Sequence, residues 1–150
     1  MHTAAVDLAL LTLALNAIAA LIGAWAWRRF AAPRAFWVAL RAAQAAAVAQ
    51  AVFAGIAAVS GSRPDSGLYW LYAVLPVAIG FFAEQFRSVA AQVELDRRGL
   101  ADAQAVGGLP AEQQQFLVRA ILHRELGVMA IAAAVVVFLA WRAAVTAAGL

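Results

Sequence analysis

Residues 6–29 read VDLALLTLALNAIAALIGAWAWRR, and this stretch decides the fold. From Val6 to Trp27 the only charge is Asp7, at the outer edge of the run. A helix needs about 20 mostly apolar residues to cross a hydrocarbon core about 30 Å thick, and this run is long enough. It closes on Trp25 and Trp27 followed by Arg28 and Arg29, an aromatic and basic anchor suited to the membrane–water interface. Met1, His2 and Thr3, with no basic segment, stand ahead of the apolar residues that open with Ala4 and Ala5. Because the run also exceeds the roughly 7–15 apolar residues of a signal peptide, it is read as a span.

Three similar runs follow. Pro33 punctuates a short connection, after which residues 36–59 form a second span. Ser60-Gly61-Ser62-Arg63-Pro64-Asp65-Ser66-Gly67 is a cluster of turn formers and predicts a tight hairpin loop. A third span opens at Leu68 with Tyr69, Trp70 and Tyr72 at its entry and runs to Phe86, with Pro76 expected to kink it. The helical pattern then turns polar until Gly99 offers a stop, so this helix is expected to project past the membrane. Val106-Gly107-Gly108 predicts a break, and Pro110 with Glu112 suits the first turn of a new helix. Phe116, Leu117, Ala120 and Ile121 recur at helical spacing, predicting an amphipathic approach helix before a fourth span that starts near Leu126 and ends near Ala148. The expected fold class is therefore all-α: a polytopic membrane protein forming one domain over residues 1–150. Its up-and-down bundle comprises four transmembrane helices at about 6–27, 36–59, 68–86 and 126–148, with a helical connection at 87–125.

Composition agrees with the bilayer as solvent. Hydrophobic residues make up 66% of the chain and charged residues 13%, against about a quarter charged in soluble domains. The net charge of +3 comes from arginines set beside apolar spans rather than in a basic stripe, so no nucleic-acid partner is expected. Every basic residue of the Lys/Arg class is Arg; with abundant Ala, this resembles the codon bias of a GC-rich bacterial genome, and a bacterial source is the expectation. Arg28, Arg29, Arg34 and Arg41 flank the first connection, and Arg87, Arg97, Arg98, Arg119 and Arg124 the third, leaving only Arg63 and Arg142 on the opposite side. The positive-inside rule then predicts a bacterial plasma-membrane protein with both termini outside the cytoplasm.

The same residues narrow the chemistry. The absence of Cys excludes disulfides and thiolate metal sites. A haem bracketed by two histidines needs both inside facing spans, whereas His2 lies in the N-terminal tail and His123 at a membrane boundary. Ser60, Ser62 and Ser66 have no neighbouring His, and Gly107-Gly108 lacks the Lys-Ser/Thr ending of a phosphate loop. No catalytic residue, cofactor or metal is expected.

What remains is a polar cluster and a packing stripe. Arg41 lies about 7 Å inside span two and Glu84 about 24 Å down span three from the opposite side, at 1.5 Å per residue. Both depths fall in one leaflet, where an unpaired charge is costly, so a Glu84–Arg41 bridge is expected. Gln44 and Gln85 stand beside the pair, Arg87 competes for Glu84, and His123, Arg124 and Glu125 enter near the same level. Asn16, near the middle of span one, is expected to bond to another helix. Ala43, Ala47, Ala51 and Gly55 recur every four residues with Gln50 close by, a small-residue stripe for close helix approach within the bundle or in a homo-oligomer. Three functions follow as expectations. The first is a non-enzymatic accessory or interaction subunit that binds membrane lipids and a larger complex, with Phe116, Leu117 and Ile121 as partner contacts and Gln113–Gln115 as contact surface. The second is a small oligomeric transporter or channel using the Glu/Arg/Gln cluster; the third is a lipid- or quinone-linked enzyme.

Overall fold

The computed structural model describes residues 2–61, 67–101 and 103–149. Among them are five helices: α1 His2–Arg28, α2 Arg34–Val59, α3 Leu68–Asp96, α4 Ala103–Gly107 and α5 Ala111–Ala147. All but α4 are long and apolar enough to cross a membrane. The principal contacts are α1–α2, α2–α3, α3–α5 and α5–α1, so the long helices stand around the bundle in chain order and α5 closes the ring on α1. Their directions alternate. One end gathers Ala5, Ala54, Tyr69 and Ala147, while Ala26, Phe36, Ala83 and Leu126 meet toward the other.

The radial distribution of side chains is that of a protein dissolved in lipid. The interior is lined by alanine, with Ala9, Ala19, Ala43, Ala73 and Ala140 fully buried, whereas Leu21 is 73% exposed and Val38 70%. Such a surface cannot stay in water. In a bilayer its outward Leu, Val and Phe meet chains as apolar as themselves, and association rests on close backbone approach. Gly23 shows how close: a Cβ there would lie 2.7 Å from Ala130 Cβ and 2.7 Å from Phe36 Cε2.

The buried seam of α2 departs from the expected stripe. Phe36, Leu40, Ala43, Ala47, Gln50, Ala54 and Ala57 are buried, at spacings alternating between four and three. Ala51 is only half-buried and Gly55 is exposed, with nothing within 4 Å of its Cβ position. The cause is helical geometry: each four-residue step overshoots a turn by about 40°, so Gly55 ends about 120° from Ala43, whereas a mean spacing of 3.5 stays on the seam.

Beyond the bundle, α3 continues to Asp96 and stops as expected. Gly99 has φ +66°, with the Leu100 N–H donating to the Leu95 carbonyl and the Gly99 N–H to the Asp96 carbonyl, a Schellman cap. The approach helix and span four are a single element: α5 is 37 residues long, about 55 Å at 1.5 Å per residue. Its start matches the expected first turn, with Pro110 at the N-cap and Glu112 in that turn. The expected hairpin at 60–67 falls mostly on 62–66, outside the described residues.

Candidate functional site

Two polar assemblies occupy the arginine-rich end of the bundle. The first is a clasp joining α2, α3 and α5. Arg41 Nη1 lies 2.5 Å from Glu84 Oε1, and the Gln44 amide donates to the same oxygen at 3.1 Å. Gln44 in turn accepts from Arg41 at 2.6 Å. Arg87 Nε approaches Glu84 Oε2 at 3.6 Å and Glu125 Oε2 at 4.0 Å, while its guanidinium lies over the Trp37 ring. Two arginines face two glutamates, so the clasp is electrically balanced. Gln85, expected in this group, is exposed, and its side chain joins none of these bonds.

Beside the clasp, Gln44 and Glu84 also border a cleft of about 240 Å³ between α2 and α3, floored by Pro76 and Gly80. Deeper in the bundle, polar groups are few. Asn16 donates to the Thr12 carbonyl of its own helix at 2.8 Å, not to another helix as expected; the carbonyl one turn back is the nearer acceptor. Gln50 is buried, and neither of its amide atoms has a protein hydrogen-bond partner among the described residues. A space of only about 20 Å³ adjoins Asn16 and Gln44, enough for about one water.

The second assembly is a groove of about 870 Å³ along α5. One wall is the end of α1, where Trp27 and Phe30 stand; the other is the end of α3, with Glu94 and Arg97. His123 and Arg124, expected in a single cluster with Glu125, belong here instead. Consecutive helical residues diverge by about 100°, so His123 stacks on Phe30 with centroids 4.1 Å apart, Arg124 reaches Glu94 at 3.7 Å, and Glu125 alone turns to Arg87. Sequence reasoning missed the contributions of Arg29, Phe30, Arg97 and Arg119. For the three arginines the signal is their crowding at this end, which the sequence alone does not separate from a topology signal; Phe30 carries none.

Phe30 is held in a conformation that its side chain disfavours. The Ala31 N–H donates to the Ala26 carbonyl at 3.0 Å and the Phe30 N–H to the Trp27 carbonyl at 3.3 Å, so α1 ends in the same cap as α3. Here, however, the left-handed position has φ +50° and is occupied by Phe. The other described residues with positive φ are all glycines. The left-handed region costs a residue with a side chain about 1–2 kcal/mol, and it seats the Phe30 ring against His123. Gly127 completes this wall: a Cβ there would come within 3.1 Å of Trp27 Nε1.

The expected partner contacts also separate. Phe116 is 62% exposed, but Leu117 is fully buried and Ile121 half-buried, because adjacent residues on α5 cannot share one face. Arg98 lies over the Phe116 ring and pairs with Glu94 at 3.3 Å, tying α3 to α5 beyond the bundle. Among the described residues, no three His, Asp or Glu side chains gather where they could hold a metal ion.

The fold and these assemblies define a multi-pass membrane protein with a charge-balanced clasp and an arginine-lined groove at one end. No known family model matches the chain, and no curated protein or solved structure is found to be similar to it.

Proposed function

We propose that the chain is a non-enzymatic interaction or accessory subunit of a bacterial plasma membrane, with the arginine-rich end in the cytoplasm. The observation that carries this reading is the length of α5. Its 37 residues exceed by about 25 Å the roughly 30 Å hydrocarbon core, and the Arg124–Glu94 ion pair together with Arg98 lying over the Phe116 ring holds the excess against α3 as a stem. Phe116 and Val118 are exposed on that stem, which on this reading extends past the hydrocarbon core, and apolar helical residues of this kind serve as anchors for a partner. Photo-crosslinkers placed singly at Phe116 and Val118 should yield one discrete protein adduct in native membranes, while the lipid-facing Phe138 should yield none. Adducts with lipid alone at all three positions would remove the basis for this function.

Orientation is tested separately. Cysteines introduced at Ser62 and Asp102 should label from opposite sides, Ser62 from outside, and outside labelling of Asp102 would reverse the orientation.

A second reading, a small oligomeric transporter, is favoured by one feature: Glu84 and Gln44 border a cleft between α2 and α3. Against it, the interior polar side chains are sparse and largely apart.

A further inference from the structure

The two assemblies at the arginine-rich end differ in one respect that bears on ligands. In the clasp two guanidinium groups meet two carboxylates. In the groove Arg29, Arg97, Arg119 and Arg124 converge with one carboxylate, Glu94, and that carboxylate is already shared by Arg98 at 3.3 Å and Arg124 at 3.7 Å. Positive charge is therefore in excess where low-dielectric walls focus the field. Guanidinium forks match phosphate oxygens in geometry as well as charge.

The floor of the groove says what the phosphate must be attached to. From Arg124 the lining passes to Gly127, Val128 and Ile131, about 10 Å along the helix axis, with Ile131 exposed in the apolar part of α5. A free anion would leave this apolar stretch unused. The aromatic wall adds a third element, since Phe30 occupies a left-handed backbone position that glycine would fill with less strain, and its ring stands over His123. His123 Nδ1 is buried there without a hydrogen-bond partner among the described residues.

We propose that this groove binds an anionic phospholipid, the phosphate among Arg97, Arg119 and Arg124 and one acyl chain laid along Val128 and Ile131. The site goes beyond the interaction role above and does not depend on it. Its volume of about 870 Å³ lies within the range of roughly 300–1,000 Å³ of small-molecule sites. Binding neutralises the surplus guanidinium charge that no carboxylate among the described residues meets.

The test uses the full chain in mild detergent with native mass spectrometry. Dioleoyl phosphatidylglycerol should form a one-to-one adduct, whereas dioleoyl phosphatidylcholine should not. Inorganic phosphate and glycerol 3-phosphate, added in excess, should not displace the anionic lipid. Losing two charge-assisted contacts in R97Q/R119Q should weaken the adduct at least about tenfold, while R34Q, an interfacial arginine outside the groove lining, should leave it unchanged. Phe30→Gly separates binding from folding, because it should raise the thermal midpoint by relieving the backbone while weakening the adduct. Equal binding of the two lipids, displacement by inorganic phosphate, equal loss in R34Q, or full binding in a stabilised Phe30→Gly protein would each overturn the proposal.

Discussion

Glu84→Gln should lower the stability of the detergent-solubilised protein by about 1–3 kcal/mol, and Arg41→Gln by a similar amount. Glu84 is the point on which Arg41, Gln44 and Arg87 converge. Neutralising it leaves Arg41 without a carboxylate partner among the described residues and Arg87 with only Glu125, at 4.0 Å. The side chains are 54% exposed for Arg41 and 27% for Glu84, so the loss falls below the roughly 3–5 kcal/mol of a fully buried pair. The double change should cost less than the sum of the single ones by about 0.5–2 kcal/mol. Strict additivity in denaturation midpoints would show that the contact carries no energy. The same variant discriminates between the functional readings. Reconstituted vesicles of the unmodified protein should show no pH-dependent flux. A robust flux that Glu84→Gln abolishes in a still-folded protein would instead establish the transporter, since an amide keeps the shape of the carboxylate but exchanges no proton.

Gly23→Ala is the second large effect expected, a loss of about 1–3 kcal/mol from overpacking. The added methyl would meet Ala130 Cβ and the Phe36 ring, each at 2.7 Å. Ala130 stands on α5 and cannot withdraw unless the helix moves, while Phe36 is fully buried. Since α1–α5 is the most extensive helix contact, forcing it apart loosens the closure of the ring. Adding Ala130→Gly should recover part of the loss by vacating one of the two contacts. The matching control is Gly55→Ala, which meets nothing within 4 Å and should be neutral or slightly stabilising, because Ala is the better helix former. Thermal unfolding in detergent reads all four proteins. Equal midpoints for the Gly23→Ala protein and the unmodified protein would show that α1 and α5 are not in such close contact.

The lipid-like distribution of apolar residues, the four long helices, the stop at Gly99 and the start at Pro110 were legible in the sequence because each depends on local rules. Segment length against bilayer thickness, the backbone freedom of glycine and the missing N–H of proline act within a few residues of where they are read. The depth argument placing Arg41 and Glu84 at one level is also one-dimensional, resting on rise per residue and core thickness, and the structure sets these two side chains in contact. Azimuth around a helix is not so readable when nearly every residue is apolar. In water a polar face would have marked the outside of each helix; in lipid both faces are hydrophobic, so the four-residue stripe ending at Gly55 and the heptad ending at Ala57 fit the same alanine-rich segment. Only the packing of α2 against its neighbours chose the heptad. Tertiary structure likewise sent His123, Arg124 and Glu125 to three different partners, turned Leu117 inward while leaving Phe116 outside, and brought Phe30 at the end of α1 onto His123 of α5. The length and solvent of the helices belong to the sequence alone. Which face each helix turns to its neighbours depends on close contacts between segments distant in the chain, and these exist only once the ring has closed.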